Sequence, residues 1–119
     1  MNRPRPALPW IFTGLYALLI FLASSFSGRD LPETFSGFDK LCHFLEYFPL
    51  GLLLMWAFRS SWNRSRIHTL LTVAFVVMLY ALTDELHQFF VPGRSPDVLD
   101  GAMDVLGGVI GGVFYPWPK

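Results

Sequence analysis

Seven of the nine acidic residues and two of the three histidines lie in three short stretches of this largely apolar chain. In the first stretch, Asp39, His43 and Glu46 are separated by four and three residues, which places them on one face of an α-helix. Lys40 and Tyr47 form a second row with His43 at the same spacing. A histidine beside a carboxylate can act as a general base, and a buried carboxyl group can act as an acid. The spacing therefore predicts a helix face that could bind or react with a polar group.

The second and third stretches repeat this spacing. Asp84 and Gln88 are four residues apart, and so are Asp100 and Asp104. Arg94 lies between the two stretches, and a guanidinium can bind a phosphate or a carboxylate through two parallel hydrogen bonds. We therefore predict that one connected site is formed by Asp39, His43, Asp84, Gln88, Arg94 and Asp100.

The composition indicates that these polar groups belong to a membrane protein. Of the 119 residues, 53% are hydrophobic and only 15% are charged, against roughly 25% charged residues in an ordinary soluble domain. A soluble protein of this size exposes most of its residues and could not bury so many apolar side chains. Nine basic residues balance nine acidic ones, which disfavours nucleic acid as a partner because nucleic acid binding needs a basic surface.

Four apolar stretches predict helices that cross the bilayer. Their expected ranges are about 8–26, 41–58, 67–83 with an extension towards 90, and 98–115. The first stretch could instead be a cleaved signal peptide, but its apolar run is longer than a usual signal core, which favours a retained helix. The predicted fold is therefore all-α, an integral membrane four-helix bundle that forms a single domain over residues 1–119.

The distribution of basic residues predicts the orientation of this bundle. Arg3 and Arg5 precede the first helix, and Arg59, Arg64 and Arg66 lie in the short link between the second and third. The positive-inside rule then places both termini and this link in the cytoplasm. The polar stretches face the other side of the membrane, so we expect a multi-pass protein of a bacterial-type inner (cytoplasmic) membrane.

The deepest acidic groups of this arrangement need partners. Insertion scales give about 2.5–3.5 kcal/mol for an acidic side chain at the bilayer centre, and less near the interface. Glu46 and Asp104 should therefore turn inward and pair with Lys40, His43, His87 or Arg94. Asp39 and Asp97 could instead cap the starts of helices, and Pro92-Gly93 has the composition of a turn.

Glycines of the last helix predict close packing. Gly107 and Gly111 form one small-xxx-small pair, and Gly108 and Gly112 form another. Such pairs let a neighbouring helix approach closely because no side chain separates the two backbones.

The order and spacing of the polar motifs resemble the VanZ-like family over about residues 38 to 112. The matching segments are Asp39-Lys40-Leu41-Cys42-His43-Phe44 with Tyr47, then Asp84-Glu85-Leu86-His87-Gln88-Phe89-Phe90-Val91-Pro92-Gly93-Arg94, then Asp97, Asp100, Gly107 and Gly111. The resemblance implies polar, ligand-binding roles for Asp39, Lys40, His43, Asp84, Glu85, Gln88, Arg94 and Asp100. Asp104 stands where the family commonly has Asn, which adds a possible charge to the binding site.

The resemblance also implies a role in the cell envelope and, for some members, an association with teicoplanin resistance. We expect an outward-facing pocket that binds the polar headgroup of an envelope lipid or a peptidoglycan-related molecule. One alternative is a membrane-embedded hydrolase or transferase acting on such a headgroup, for which the catalytic candidates are His43, Glu46, Asp84 and Glu85. A second alternative is a purely structural envelope protein whose polar cluster holds the helices together.

The chain contains no HExxH, P-loop, GxSxG or CxxC motif. We therefore assign no cofactor and no metal ligand from motifs. Two histidines and several carboxylates leave a divalent metal ion as an alternative.

Overall fold

The computed structural model describes residues 6–26, 37–95 and 97–119, and these residues form four α-helices and no strand. The helices are α1 (Ala7–Ser24), α2 (Phe38–Ser61), α3 (Arg66–Gln88) and α4 (Val98–Phe114). The predicted all-α class is confirmed. Helices α1, α2 and α3 are long and apolar enough to cross a membrane. Helix α4 has 17 residues and is the shortest of the four.

The helix starts at the polar stretches are set by different residues. Helix α2 begins after Gly37, whose φ of 86° is in the left-handed region that favours glycine. The alternative in which Asp39 caps α2 is wrong, because Gly37 occupies the N-cap position and Asp39 lies in the first helical turn. The same alternative holds for Asp97 at α4, since the Asp97 carboxylate accepts the Leu99 backbone N–H at 2.9 Å.

A tight turn follows α3, as Pro92-Gly93 predicts. The Arg94 N–H donates to the Val91 carbonyl at 3.1 Å, and Gly93 has a φ of 77°. Proline in the second position and a left-handed glycine in the third are typical of a type II turn. The turn brings Arg94 back towards the end of the bundle.

The helices alternate in direction, so α2 runs parallel to α4. At one end, Arg66 of α3 donates to the Val113 carbonyl of α4 at 2.6 Å. At the other end, Lys40 of α2 contacts Asp97 at the start of α4 at 2.7 Å. We call the first the basic end and the second the polar end. Arg3, Arg5 and most of the loop between α1 and α2 lie outside the described residues, and the side of the membrane that each end faces stays a prediction.

Helices α2 and α4 approach each other through glycine. A Cβ added at Gly107 would overlap the Phe44 carbonyl oxygen, and one added at Gly111 would overlap the Phe48 carbonyl oxygen. Gly51 of α2 faces the Gly108 carbonyl oxygen in the same way. The close contact predicted from Gly107 and Gly111 is therefore confirmed between two parallel helices, whereas Gly108 and Gly112 face side chains of α3, Val77 and Leu70.

The buried core joins α2 and α3, with one contribution from α1. It comprises Ile20, Tyr47, Leu50, Leu54, Met55, Val73, Val77 and Ala81. Helix α1 packs at the periphery, and its Leu15 and Leu19 side chains are 58% and 59% exposed. It is attached by polar contacts: the Tyr16 hydroxyl donates to the Glu46 carbonyl, and the Tyr80 hydroxyl donates to the Ala17 carbonyl. We expect the exposed apolar faces to contact lipid.

Candidate functional site

Lys40 connects α2 to the start of α4. Its Nζ lies 2.7 Å from Asp97 Oδ2 and 2.5 Å from Asp100 Oδ1. Asp39, the preceding residue, contributes a longer contact of 3.8 Å to the same nitrogen. The Lys40 ammonium therefore neutralises part of the acidic charge that gathers at the polar end.

His43 makes a second connection between the same helices, one turn deeper. Its Nδ1 lies 2.7 Å from Asp104 Oδ1, so the expected pairing of Asp104 with His43 is observed. Its Nε2 lies 3.6 Å from Asp100 Oδ2 and 3.8 Å from Asp39 Oδ1. His43, Asp100 and Asp104 are all buried. Lys40 on α2 thus pairs with Asp100 on α4, and His43 pairs with Asp104 one turn further along both helices.

Helix α3 contributes a buried carboxylate and a buried amide. The Tyr47 hydroxyl donates to Asp84 Oδ2 at 3.0 Å, and Gln88 Nε2 donates to the Ser24 hydroxyl at 3.3 Å. Asp84 Oδ1 and Gln88 Oε1 are buried and accept no hydrogen bond from the described residues. With Glu85 Oε1, which also accepts no hydrogen bond from the described residues, three acceptors of α3 are free for a donor from outside them.

The two glutamates occupy different positions. Glu85 Oε2 accepts the Asp97 backbone N–H at 2.9 Å, so Glu85 holds α3 against the start of α4. Glu46 is half-buried, and it forms no ion pair with a described residue. The expected ion pair of Glu46 is therefore not found in the described part of the chain.

Arg94 and His87 are also placed differently from the ion-paired residues. Arg94 Nε donates to the Phe26 carbonyl at 3.3 Å, and no carboxylate of the described residues lies within ion-pair distance of its guanidinium. His87 turns towards α1, where its ring stacks on Phe21 and its Nε2 lies 2.9 Å from Ser25 Oγ. Lys40, rather than Arg94, is the cation that pairs with the α4 aspartates.

A cavity of about 900 Å³ opens among these side chains at the polar end. All six residues of the predicted connected site line it, and Glu46 does too. The six are Asp39, His43, Asp84, Gln88, Arg94 and Asp100. Lys40, Asp104 and Glu85 stand behind this lining, where they bind the lining residues or hold the helices. The spatial grouping expected from spacing is thus present in the fold.

The electrostatic field at the polar end favours carboxylates. Both α2 and α4 begin there, and the positive ends of their helix dipoles face Asp39 and Asp100 in their first turns. Outside the helices, the pKa of Asp97 is lowered from its ordinary 3.8, chiefly by the hydrogen bond from Lys40 and next by the Leu99 N–H. The hydrogen bonds to Asp97 therefore favour its charged form at the mouth of the cavity.

Sequence reasoning missed what α1 contributes. Ser24 and Phe26 line the cavity, although neither carries a charge. Ser24 is part of no motif in the sequence, and Phe26 contacts Arg94 through its carbonyl oxygen. Every residue has a backbone carbonyl, so the sequence could not show that the Phe26 carbonyl would contact Arg94.

A family model described as VanZ/LLP1 matches residues 8–118, nearly the whole chain. No curated protein matches the chain, and no solved structure matches it either.

Proposed function

Because the chain belongs to the VanZ/LLP1 family, we propose that it is a cell-envelope membrane protein that binds an anionic headgroup in the cavity at its polar end. The ligand class is an envelope lipid or a peptidoglycan-related molecule that carries a phosphate or a carboxylate. A link to glycopeptide resistance, teicoplanin above all, is part of this proposal and is supported by the family name alone.

The observation that carries the proposal is the position of Arg94. Its side chain lines the cavity, and its guanidinium has no carboxylate partner among the described residues. The planar guanidinium presents paired N–H donors that match a phosphate or a carboxylate in two parallel hydrogen bonds. Because Arg94 follows a turn rather than lying within a helix, its side chain can close over a ligand that enters the cavity.

The free acceptors of α3 complement this cation. Asp84 Oδ1 and Gln88 Oε1 are buried without a donor from the described residues, and each such group costs about 1–3 kcal/mol when it stays unpaired. Hydroxyl or amine groups of a sugar, glycerol or ethanolamine headgroup could donate to them. Phe89 and Phe90, which are 66% and 74% exposed beside the turn, provide an apolar surface for the lipid chains.

The proposed orientation puts the cavity on the outer side of a bacterial cytoplasmic membrane. Support comes from the arginines at the opposite end, since cytoplasmic loops carry an excess of basic residues. After replacement of the exposed Cys42, an impermeant thiol reagent applied to intact cells should label Ser95→Cys and leave Ser61→Cys unlabelled. The reverse labelling would place the cavity on the cytoplasmic side.

Headgroup binding is tested with Arg94→Lys, which keeps the charge and removes the bidentate geometry. The probe is phosphatidylglycerol added to the detergent-purified protein, with bound lipid counted by native mass spectrometry. We expect the variant to bind at least about tenfold more weakly, the loss of roughly 1.4 kcal/mol. Arg64→Lys, the same change at the basic end, is the matched control and should bind like the wild type.

Equal binding by the wild type and both variants would contradict the role of Arg94. A thermal melt of Arg94→Lys separates lost binding from lost folding. A lower melting temperature with no lipid bound by the wild type would favour the structural alternative, in which the polar residues only hold the helices together.

A second candidate function is hydrolysis or group transfer on the same headgroup. The observation that favours it is the short contact between His43 and the buried Asp104, with the other ring nitrogen facing the cavity. A carboxylate that orients a histidine in this way is a common arrangement for a general base. Release of a free headgroup from the bound lipid over time, absent in His43→Gln, would distinguish catalysis from binding.

A further inference from the structure

Three ligand atoms converge at the polar end without bonding to one another. His43 Nε2 lies 3.6 Å from Asp100 Oδ2 and 3.8 Å from Asp39 Oδ1, and all three atoms lie within 4.8 Å of one another. These separations are too long for hydrogen bonds. In a tetrahedral zinc site with bonds of about 2.0–2.1 Å, neighbouring ligand atoms are roughly 3.4 Å apart. The two separations from His43 Nε2 therefore exceed those of a zinc site by only a few tenths of an ångström, and the two carboxylate oxygens lie within 4.8 Å of each other.

We propose that Asp39, His43 and Asp100 bind a divalent transition-metal ion, for which zinc is the best match. One imidazole nitrogen and two carboxylate oxygens form a mixed ligand set of the kind that zinc accepts. This assignment is independent of the proposed headgroup, because it concerns the ion alone.

The ring orientation of His43 supports the assignment. His43 Nδ1 lies 2.7 Å from Asp104 Oδ1, and a charged carboxylate can only accept, so this contact favours the hydrogen on Nδ1. In the neutral ring the lone pair is then on Nε2, the nitrogen that faces Asp39 and Asp100. Histidines that bind metal ions usually donate their other ring N–H to such a carboxylate, which fixes both tautomer and orientation. Asp104 is fully buried and can hold the ring in one position.

Lys40 leaves the converging oxygens available. It contacts Asp100 through Oδ1, whereas Oδ2 faces His43. It contacts Asp39 through Oδ2, whereas Oδ1 faces His43. The ammonium and a metal ion would therefore share these carboxylates without competing for the same atoms. Three aspartates contact the Lys40 ammonium, and Asp104 lies against His43 one turn deeper, so among the described residues the carboxylates outnumber this ammonium and the cluster can accept a further divalent charge.

The cavity supplies an independent sign of a ligand. Asp39, His43 and Asp100 line it, and so do Asp84 and Gln88, each with a buried oxygen that has no donor among the described residues. A site with three protein ligands keeps one position open, as metal sites that act on a ligand do. A water molecule in that position can donate to a free oxygen of this kind.

The proposed ion excludes one assignment of the alternative function. A metal ion would take the Nε2 lone pair, so His43 could not serve as a general base while the ion is bound. Zinc binding and a histidine base are therefore competing interpretations of the same nitrogen.

The test uses zinc alone on the full chain, purified in detergent, stripped of lipid and treated with a chelator. Isothermal titration calorimetry should give one bound zinc ion per chain. Asp39→Asn should weaken binding at least about tenfold, because changes around a metal ion usually cost about 10–100-fold in affinity. Asp97→Asn is the matched control, since Asp97 is as exposed as Asp39 and also contacts Lys40, but does not face His43.

Retained affinity in Asp97→Asn together with the loss in Asp39→Asn would support the site. Absence of a one-to-one zinc titration in the wild type, or equal losses in the two variants, would overturn it. Thermal melts check that both variants fold. The absorption spectrum of bound cobalt, a zinc substitute, gives a second readout, because a tetrahedral site with oxygen and nitrogen ligands should lose its visible bands in Asp39→Asn.

Discussion

The contact between α2 and α4 is held in two different ways along its length. Its polar half consists of Lys40 and His43 with Asp97, Asp100 and Asp104, and the helices meet through charged side chains. Its glycine half consists of Gly107 and Gly111 with Phe44 and Phe48, together with Gly51 against Gly108, and backbone meets backbone. The glycine half has no room for a side chain, whereas the polar half is held by ion pairs and hydrogen bonds between side chains.

The comparison shows how the two halves depend on each other. Because the backbones touch in the glycine half, α2 and α4 stay close enough in the polar half for His43 to reach Asp104. A wider spacing would separate these groups and leave each one buried without a partner. Close packing of small residues thus sets the geometry that makes buried charges tolerable.

Enlarging a residue of the glycine half should have the largest effect. In Gly111→Leu even the added Cβ overlaps the Phe48 carbonyl oxygen, so α2 and α4 must separate. Overpacking usually costs about 1–3 kcal/mol, and here the loss of the polar half adds to it. The melting temperature in detergent should fall more than in any variant below. Gly14→Leu is the control, because no atom lies within 4 Å of the added Cβ. Equal melting of the two variants would contradict the close contact.

Removing the deepest carboxylate of the polar half should have the next largest effect. Asp104→Ala leaves His43 buried without its partner, and breaking a buried pair in this way costs about 3–5 kcal/mol. Asp104→Asn keeps an oxygen that can accept the Nδ1 hydrogen, so its loss of stability should be smaller. Chemical denaturation in detergent measures both variants. The same stability for both would show that the Asp104–His43 hydrogen bond contributes nothing.

Removing the cation nearer the surface should cost less. Lys40→Met leaves Asp100 buried and unpaired, but the Lys40 side chain is 29% exposed, so solvent already screens its ion pairs. We expect a loss of about 1–2 kcal/mol, and a smaller loss in Lys40→Arg, which keeps the charge. If Lys40→Met lowered the free energy of unfolding as much as Asp104→Ala does, the burial of these side chains would not determine how strongly their contacts stabilise the fold.

The smallest effect should be a pH dependence at the rim of the polar half. The pKa of Asp97 is lowered in the folded protein, so its contribution to stability is present above its ordinary pKa of 3.8 and is lost as the pH falls through the lower folded value. Asp97→Asn keeps the cap on Leu99 but removes the charge. Melting of wild type and variant should therefore differ at neutral pH and converge in strong acid. A difference that stays constant with pH would exclude the Asp97 charge as its cause.

Sequence patterns predicted the components of both halves better than their arrangement. Four-residue spacing identified the rows of His43 and Asp104, and small-xxx-small spacing identified the glycines, because both depend only on helix geometry. That α2 would be the main partner of α4 could not be predicted, since spacing within a helix carries no information about its neighbour. Asp39 was assigned to the site with capping of α2 as the alternative, and that alternative fails because the helix starts after the left-handed Gly37, which residue spacing did not indicate.

The loop residues were harder to place for a related reason. Arg94 was expected near the acidic groups of α3 and α4, and it lines the same cavity as Asp84 and Asp100. Its hydrogen bond to the Phe26 carbonyl was not foreseen, because it depends on where α1 ends in space. The helical repeat shows which charged residues of a helix share a face, but it gives no position for a residue that follows a turn.

The parallel direction of α2 and α4 has a consequence for biogenesis. In the proposed topology, Asp100 and Asp104 enter the membrane with α4, and their partners Lys40 and His43 were synthesised about sixty residues earlier on α2. Helix α3 crosses in between in that topology, so that α4 starts on the same side of the membrane as α2. Insertion of α4 then depends on α2 still being within reach, because its carboxylates have no other cation in the helix to neutralise them. A nascent chain with only three inserted helices therefore has a Lys40 charge on α2 without its α4 partners. That charge is neutralised only when the seventeen residues of α4 have emerged.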